Sequence, residues 1–61
     1  MILSPKDLRT LPGLKLHSDR SAYRLYQRVK QDKGRTARHH RISLRELADY
    51  LGVEAQDLLN P

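Results

Sequence analysis

A chain of 61 residues buries only about 60% of the surface that its unfolded form exposes, which leaves room for one small core and no large substrate-burying pocket. Hydrophobic residues make up 38% and charged residues 31%, a globular composition, while the absence of cysteine rules out disulfide staples, thiol catalysis and cysteine-based zinc modules. The net charge of +5 is segregated: residues 1–27 carry five basic and two acidic side chains, 28–45 seven and one, and 46–61 none and four, so the middle is the expected anion-binding surface.

Punctuation along the chain predicts four helices, near 4–11, 18–33, 43–51 and 54–60, and no sheet: an all-α, four-helix domain spanning 1–61 with a basic loop at 34–42. Ser4 is the expected cap of the first helix, with Pro5 in the first turn, Asp7 three residues after the cap and a staple of Leu3 with Leu8; Pro12-Gly13 ends it. Leu14 to His17 alternates apolar and basic residues and reads as a packed linker. Ser18-Asp19 starts the second helix, whose buried stripe is Ala22, Leu25, Tyr26 and Val29, and Gly34 stops it. Arg35 to Arg41 then reads as a mobile basic connector.

Ser43-Leu44-Arg45-Glu46 is a full capping box with Ile42 and Leu47 as its staple, so the third helix begins there. Gly52 ends it. A last short helix follows, flanked by Val53 and Leu58, with Leu44, Leu47, Ala48, Leu51, Leu58 and Leu59 expected in a shared core.

No nucleophile, base and orienting acid fall in a convergent pattern, and no phosphate-cradling glycine loop occurs, so catalysis is not expected. His39 and His40 diverge on either a helix or a strand, which argues against a metal centre; no metal or cofactor is expected. No stretch approaches the roughly eighteen apolar residues of a membrane span, and Met1 to Pro5 lacks the basic start and long apolar run of a signal peptide. A cytoplasmic protein without membrane partners is the expectation.

The segment from Leu44 to Leu59, with Ala48 where two helices meet, Leu51 in the core and Gly52 at the turn, resembles the phage-repressor-like helix-turn-helix DNA-binding family over about residues 43–59. Tyr23 to Gly34 is similar to that family's opening helix, although the basic loop stands where its next motif belongs. The resemblance implies DNA binding and transcription regulation, with a homodimer on duplex DNA. Two roles remain open for Glu54 to Asn60. It reads bases, with Gln56 as the candidate contact, or it only packs, the role favoured by Glu54 and Asp57, which would confront phosphates.

The leading expectation is therefore a small nucleic-acid-binding regulatory protein, its partner duplex DNA more than RNA. The contact residues expected are Arg24, Arg28, Lys30, Lys33, Arg35, Arg38 and Arg41, with Arg45 at the margin, and the base-reading candidates are Arg35, Arg38 and Gln56. The alternative is a protein-binding module or inhibitor that docks on a partner through its acidic C-terminal helices or its basic loop.

Overall fold

The computed structural model describes residues 1–60; Pro61, the end of the expected domain span, lies outside them. The described elements, in chain order, are β1 (Ile2–Leu3), α1 (Asp7–Thr10), α2 (Asp19–Asp32), β2 (Ile42–Ser43), α3 (Leu44–Leu51) and α4 (Ala55–Leu59). The chain is mostly helical with one small antiparallel sheet, in which Ile2 faces Ser43 and Leu3 faces Ile42. The expectations of an all-α fold and of no sheet are thus corrected. Two-residue strands show no alternating pattern, and their partners are some forty residues apart in the sequence, so no local signal marks the pairing.

Helix α2 forms because Ser18, in an extended conformation, accepts the Ser21 N–H on its hydroxyl at 3.1 Å. A cap of this kind is worth about 1 kcal/mol. Ala22, Tyr26 and Val29 are buried along one stripe of the helix, and Leu25 packs against them half-buried. The Arg35 N–H reaches back to Lys30 O at 2.8 Å and the Gly34 N–H to Gln31 O at 3.2 Å, with Gly34 at φ +70°. This bond pair closes a helix around a left-handed residue, a conformation that glycine adopts without a Cβ penalty. Gly52, at φ +73°, ends α3 in the same way: its own N–H donates to Asp49 O and that of Val53 to Ala48 O.

The capping box expected at Ser43 is present in both directions, Glu46 N–H to Ser43 Oγ at 3.1 Å and Ser43 N–H to Glu46 Oε1 at 2.9 Å. A third N–H at this helix start, that of Leu44, donates to Met1 O at 2.9 Å, so the chain entering β1 satisfies a donor that α3 cannot use itself. At the first helix only half of the expected box forms. Asp7 accepts the Ser4 N–H at 2.7 Å, while the Ser4 hydroxyl also donates to Asp7 instead of accepting from the helix, and α1 is one turn long.

One cluster of buried side chains joins the elements: Leu3, Leu8, Leu11, Ala22, Tyr26, Val29, Ile42, Leu44, Leu47, Ala48 and Leu58. Leu51, also expected in it, only packs against it half-buried, and Leu59 lies outside, as does Val53 just before α4. Val53 is 43% exposed and Leu59 44%; α4 is a five-residue helix and turns only Leu58 fully inward, with Ala55 half-buried. Gly13 explains how α4 is held. Its N–H donates to Leu58 O at 3.0 Å, and a Cβ at this position would strike the Asp57 carbonyl oxygen and approach Leu58 Cα to 2.7 Å.

At the centre, the buried Tyr26 hydroxyl donates to Leu3 O at 2.6 Å and accepts the Ile42 N–H at 3.2 Å. One oxygen on α2 thereby joins both strands. Replacing it by hydrogen leaves a buried N–H and a buried carbonyl without that partner, a loss of about 1–3 kcal/mol. Tyr26→Phe is expected to lower the free energy of urea unfolding by that amount, whereas Tyr23→Phe, on the exposed side of the same helix, is expected to leave it unchanged. Gly13→Ala is expected to cost about 1–3 kcal/mol in the same assay, because backbone faces backbone there and neither side can rotate away.

Candidate functional site

Reversal of the chain at Gly34 sends residues 35–41 back along α2 before β2 begins. Lys30, on the last full turn of α2, fastens this connector: its Nζ donates to Ala37 O at 3.2 Å, and the same carbonyl accepts the His40 N–H at 3.0 Å. Lys30 is only 5% exposed, with its stem covered and its head at the connector. Ala37 is therefore a fixed point in a segment read from the sequence as mobile.

Between connector and helix lies an open cleft of about 350 Å³, walled by Tyr23, Tyr26, Gln27 and Lys30 of α2, Thr36, Arg38 and Arg41 of the connector, and Pro5. At about 100° per residue Tyr23, Gln27 and Lys30, spaced i, i+4 and i+7, share one flank of the helix. No carboxylate of the described residues lines the cleft. Among the described residues Lys30, Arg38 and Arg41 form no ion pair with an acid. An ammonium has three donors, of which the structure commits one, to Ala37. Two guanidiniums, one ammonium, a threonine hydroxyl and a glutamine amide can together neutralise and hydrogen-bond an oxyanion.

Other expected contact residues do different work. Lys33 pairs with Asp49 of α3 and, at 3.7 Å, with Asp32; Arg35 Nε donates to Glu46 Oε2 at 2.7 Å. These pairs bind the end of α2 to α3. Glu46 thus serves the capping box with one oxygen and Arg35 with the other. Arg24 and Arg28 are exposed on other faces of α2, about 100–120° and about 140–160° around the helix from Tyr23 and Lys30. Arg45 lines a different hollow, with Asp49, Val53 and Glu54, and exposed Gln56 lies on α4 between Ala55 and Asp57. The structure therefore brings together Lys30, Arg38 and Arg41 of the expected set and separates Arg24, Arg28, Arg45 and Gln56 from them.

Gln27 and Thr36 were not among the expected contacts. For Gln27 a signal exists, since it lies one turn from both Tyr23 and Lys30; for Thr36 there is none, because its position depends on the Lys30 to Ala37 bond. His39 and His40 meet edge to face with ring centroids 4.7 Å apart, and His40 Nδ1 is buried without a hydrogen-bond partner among the described residues. Among the described residues no group of three or more His, Asp or Glu gathers to hold a metal ion, and no helix is long and apolar enough to cross a membrane.

Compared with protein-family models, curated proteins and solved structures, the chain gives no match.

The corner pairs carry a pH signature. The hydrogen bond from Arg35 holds the Glu46 carboxyl below the usual carboxylate range, with partial desolvation opposing and the Ser43 N–H assisting, and Lys33 similarly lowers Asp49. Asp49 in turn raises the Lys33 ammonium, mainly through the hydrogen bond between them. Lowered carboxyls stabilise the fold above their unfolded values, near about pH 4, and this stability is lost as pH falls through the folded values. A raised lysine stabilises below about pH 10 and this is lost as pH rises through its folded value. The contribution of these pairs to the urea midpoint is expected to be constant between about pH 5 and pH 9 and to fall on acidification below about pH 4. In Glu46→Gln, which keeps an acceptor for the Ser43 N–H, the acid decrease is expected to be smaller than in the parent chain.

Proposed function

We propose that the chain is a small nucleic-acid-binding protein that grips phosphate backbone in the cleft between α2 and residues 35–41. The observation that carries this reading is the gathering of Lys30, Arg38 and Arg41 around one carboxylate-free concavity. The acids of residues 46–61 support it by their location. Asp49 and Glu46 neutralise Lys33 and Arg35 at the neighbouring corner, which leaves Lys30, Arg38 and Arg41 as the cations of residues 30–41 without an acid among the described residues. Binding of this kind gives salt-sensitive affinity with little sequence discrimination, and no part of the reading requires catalysis.

The α3–α4 pair, with a glycine turn, buried Ala48 and buried Leu58, supports the resemblance to the helix-turn-helix family as a packing unit. It lends less to groove reading, since α4 is short, its backbone is covered by Gly13, and its exposed residues include Asp57 and Gln56 with Glu54 just before them. In this reading α4 holds the fold, Gln56 touches no base, and any regulatory role in the cytoplasm acts through the cleft. A second reading, docking on a protein partner or a second copy, has one observation in its favour: Met1, Ile2 and Leu59 are exposed around a single groove with Leu3, Leu11 and Pro12.

Charge reversal at Arg38 and Arg41, which hold no acid in the fold, separates binding from stability more cleanly than reversal at Arg35. The double variant Arg38→Glu/Arg41→Glu is expected to unfold at the parent urea midpoint and to bind nucleic acid far more weakly. The slope of log affinity against log salt is expected to flatten by about two units, one for each phosphate no longer neutralised. An unchanged slope in a fluorescence-anisotropy titration would contradict the proposal, as would parent-like affinity.

A further inference from the structure

Tyr23 stands at the rim of the cleft with its side chain out of the core. It is 55% exposed, a large aromatic left in water beside three cations, while Tyr26, three residues on, is fully buried. Tyr23 also lines a second hollow of about 250 Å³, whose other walls are Pro5, Lys6 and Asp19. Together Tyr23 and Pro5 form the partition between the two hollows. The second hollow has a phenol ring and a proline ring as its apolar walls, with Lys6 and with Asp19, which is paired with Arg9 at 3.1 Å.

We infer that the cleft takes single-stranded nucleic acid: a backbone phosphate is held by Lys30, Arg38 and Arg41, and the adjoining base stacks on Tyr23. This rests on the backbone-binding reading above and names the form of nucleic acid that the site prefers. Three observations support it. An exposed aromatic next to a basic groove is the combination by which single strands are bound, because every base offers a π face. In a duplex those faces are already stacked on one another, so Tyr23 gains nothing from a paired strand. At about 350 Å³ the cleft falls near the lower end of small-ligand sites, a size suited to one nucleotide unit. Nearly buried Lys30 can reach only a phosphate that enters this concavity.

Stacking is tested apart from charge by comparing strands that differ only in having bases. The labelled probes are a short oligothymidylate, an abasic phosphodiester strand of the same length and a duplex of the same length, each titrated against the intact chain at a low and at a high salt concentration and compared with one another at equal salt. Oligothymidylate is expected to bind about tenfold tighter than the abasic strand, and the duplex no tighter than the abasic strand. Tyr23→Ala is expected to bring oligothymidylate down to the abasic level without changing abasic binding, and Tyr23→Phe to keep the parent affinity. Circular dichroism of both variants is expected to match the parent, because the ring lies outside the core.

Equal affinity for oligothymidylate and the abasic strand would overturn the stacking inference, as would a preference for duplex. In either case salt-sensitive retention would leave the backbone reading standing. Failure of all three probes to bind would remove both.

Discussion

One buried oxygen carries much of this small fold. The Tyr26 hydroxyl is a donor to Leu3 O and an acceptor for the Ile42 N–H, so it holds β1 and β2 in register against α2. Two-residue strands have too few ladder bonds to persist alone. Their pairing in turn sets the start of α3, since the Met1 carbonyl takes the Leu44 N–H and Ser43 is both the last residue of β2 and the cap of α3. Buried in the low-dielectric core, such bonds are strong when made and costly when broken. A chain without disulfides needs fixed points of this kind.

The same geometry positions the cleft. The connector of residues 35–41 is anchored at Gly34, where α2 closes, and at Ile42, where Tyr26 holds the strand, and it is pinned between them by Lys30 on Ala37. Restraint at three points shortens the free stretch to a few residues around Arg38 and Arg41. A connector anchored in this way loses less backbone entropy on binding an anion than a floppy loop would. The acidic C-terminal part contributes by occupying Lys33 and Arg35 at the corner, so that two of the basic residues of the middle segment are neutralised where α2 meets α3.

Much of this was legible in the sequence where the signals are local. The capping box at Ser43, the glycine closures at Gly34 and Gly52, and the Ala22, Tyr26 and Val29 stripe each depend on residues within one or two turns. Long-range features had no such signal. The β1–β2 pairing, the approach of Gly13 to α4 and the burial of Lys30 depend on how separate segments come together in the fold. The basic patch was visible as composition, but composition gave Lys30, Lys33, Arg35, Arg38 and Arg41 equal standing. Only their partners distinguish a cation that holds the fold from one left to meet a ligand. Tyr23 and Tyr26 make the same point, being on one helix and opposite in burial because at about 100° per residue three positions turn a side chain about 60° away.

The central claim is that nucleic acid meets this chain at the α2–connector cleft and not at the C-terminal helix pair. The most direct measurement is amide chemical-shift mapping of the intact chain with a short oligonucleotide at low and at high salt. The account predicts salt-sensitive shifts clustered at Tyr23, Gln27, Lys30 and Thr36 to Arg41, with Glu54 to Asn60 unmoved. Shifts concentrated on Glu54 to Asn60, with the cleft silent, would contradict it.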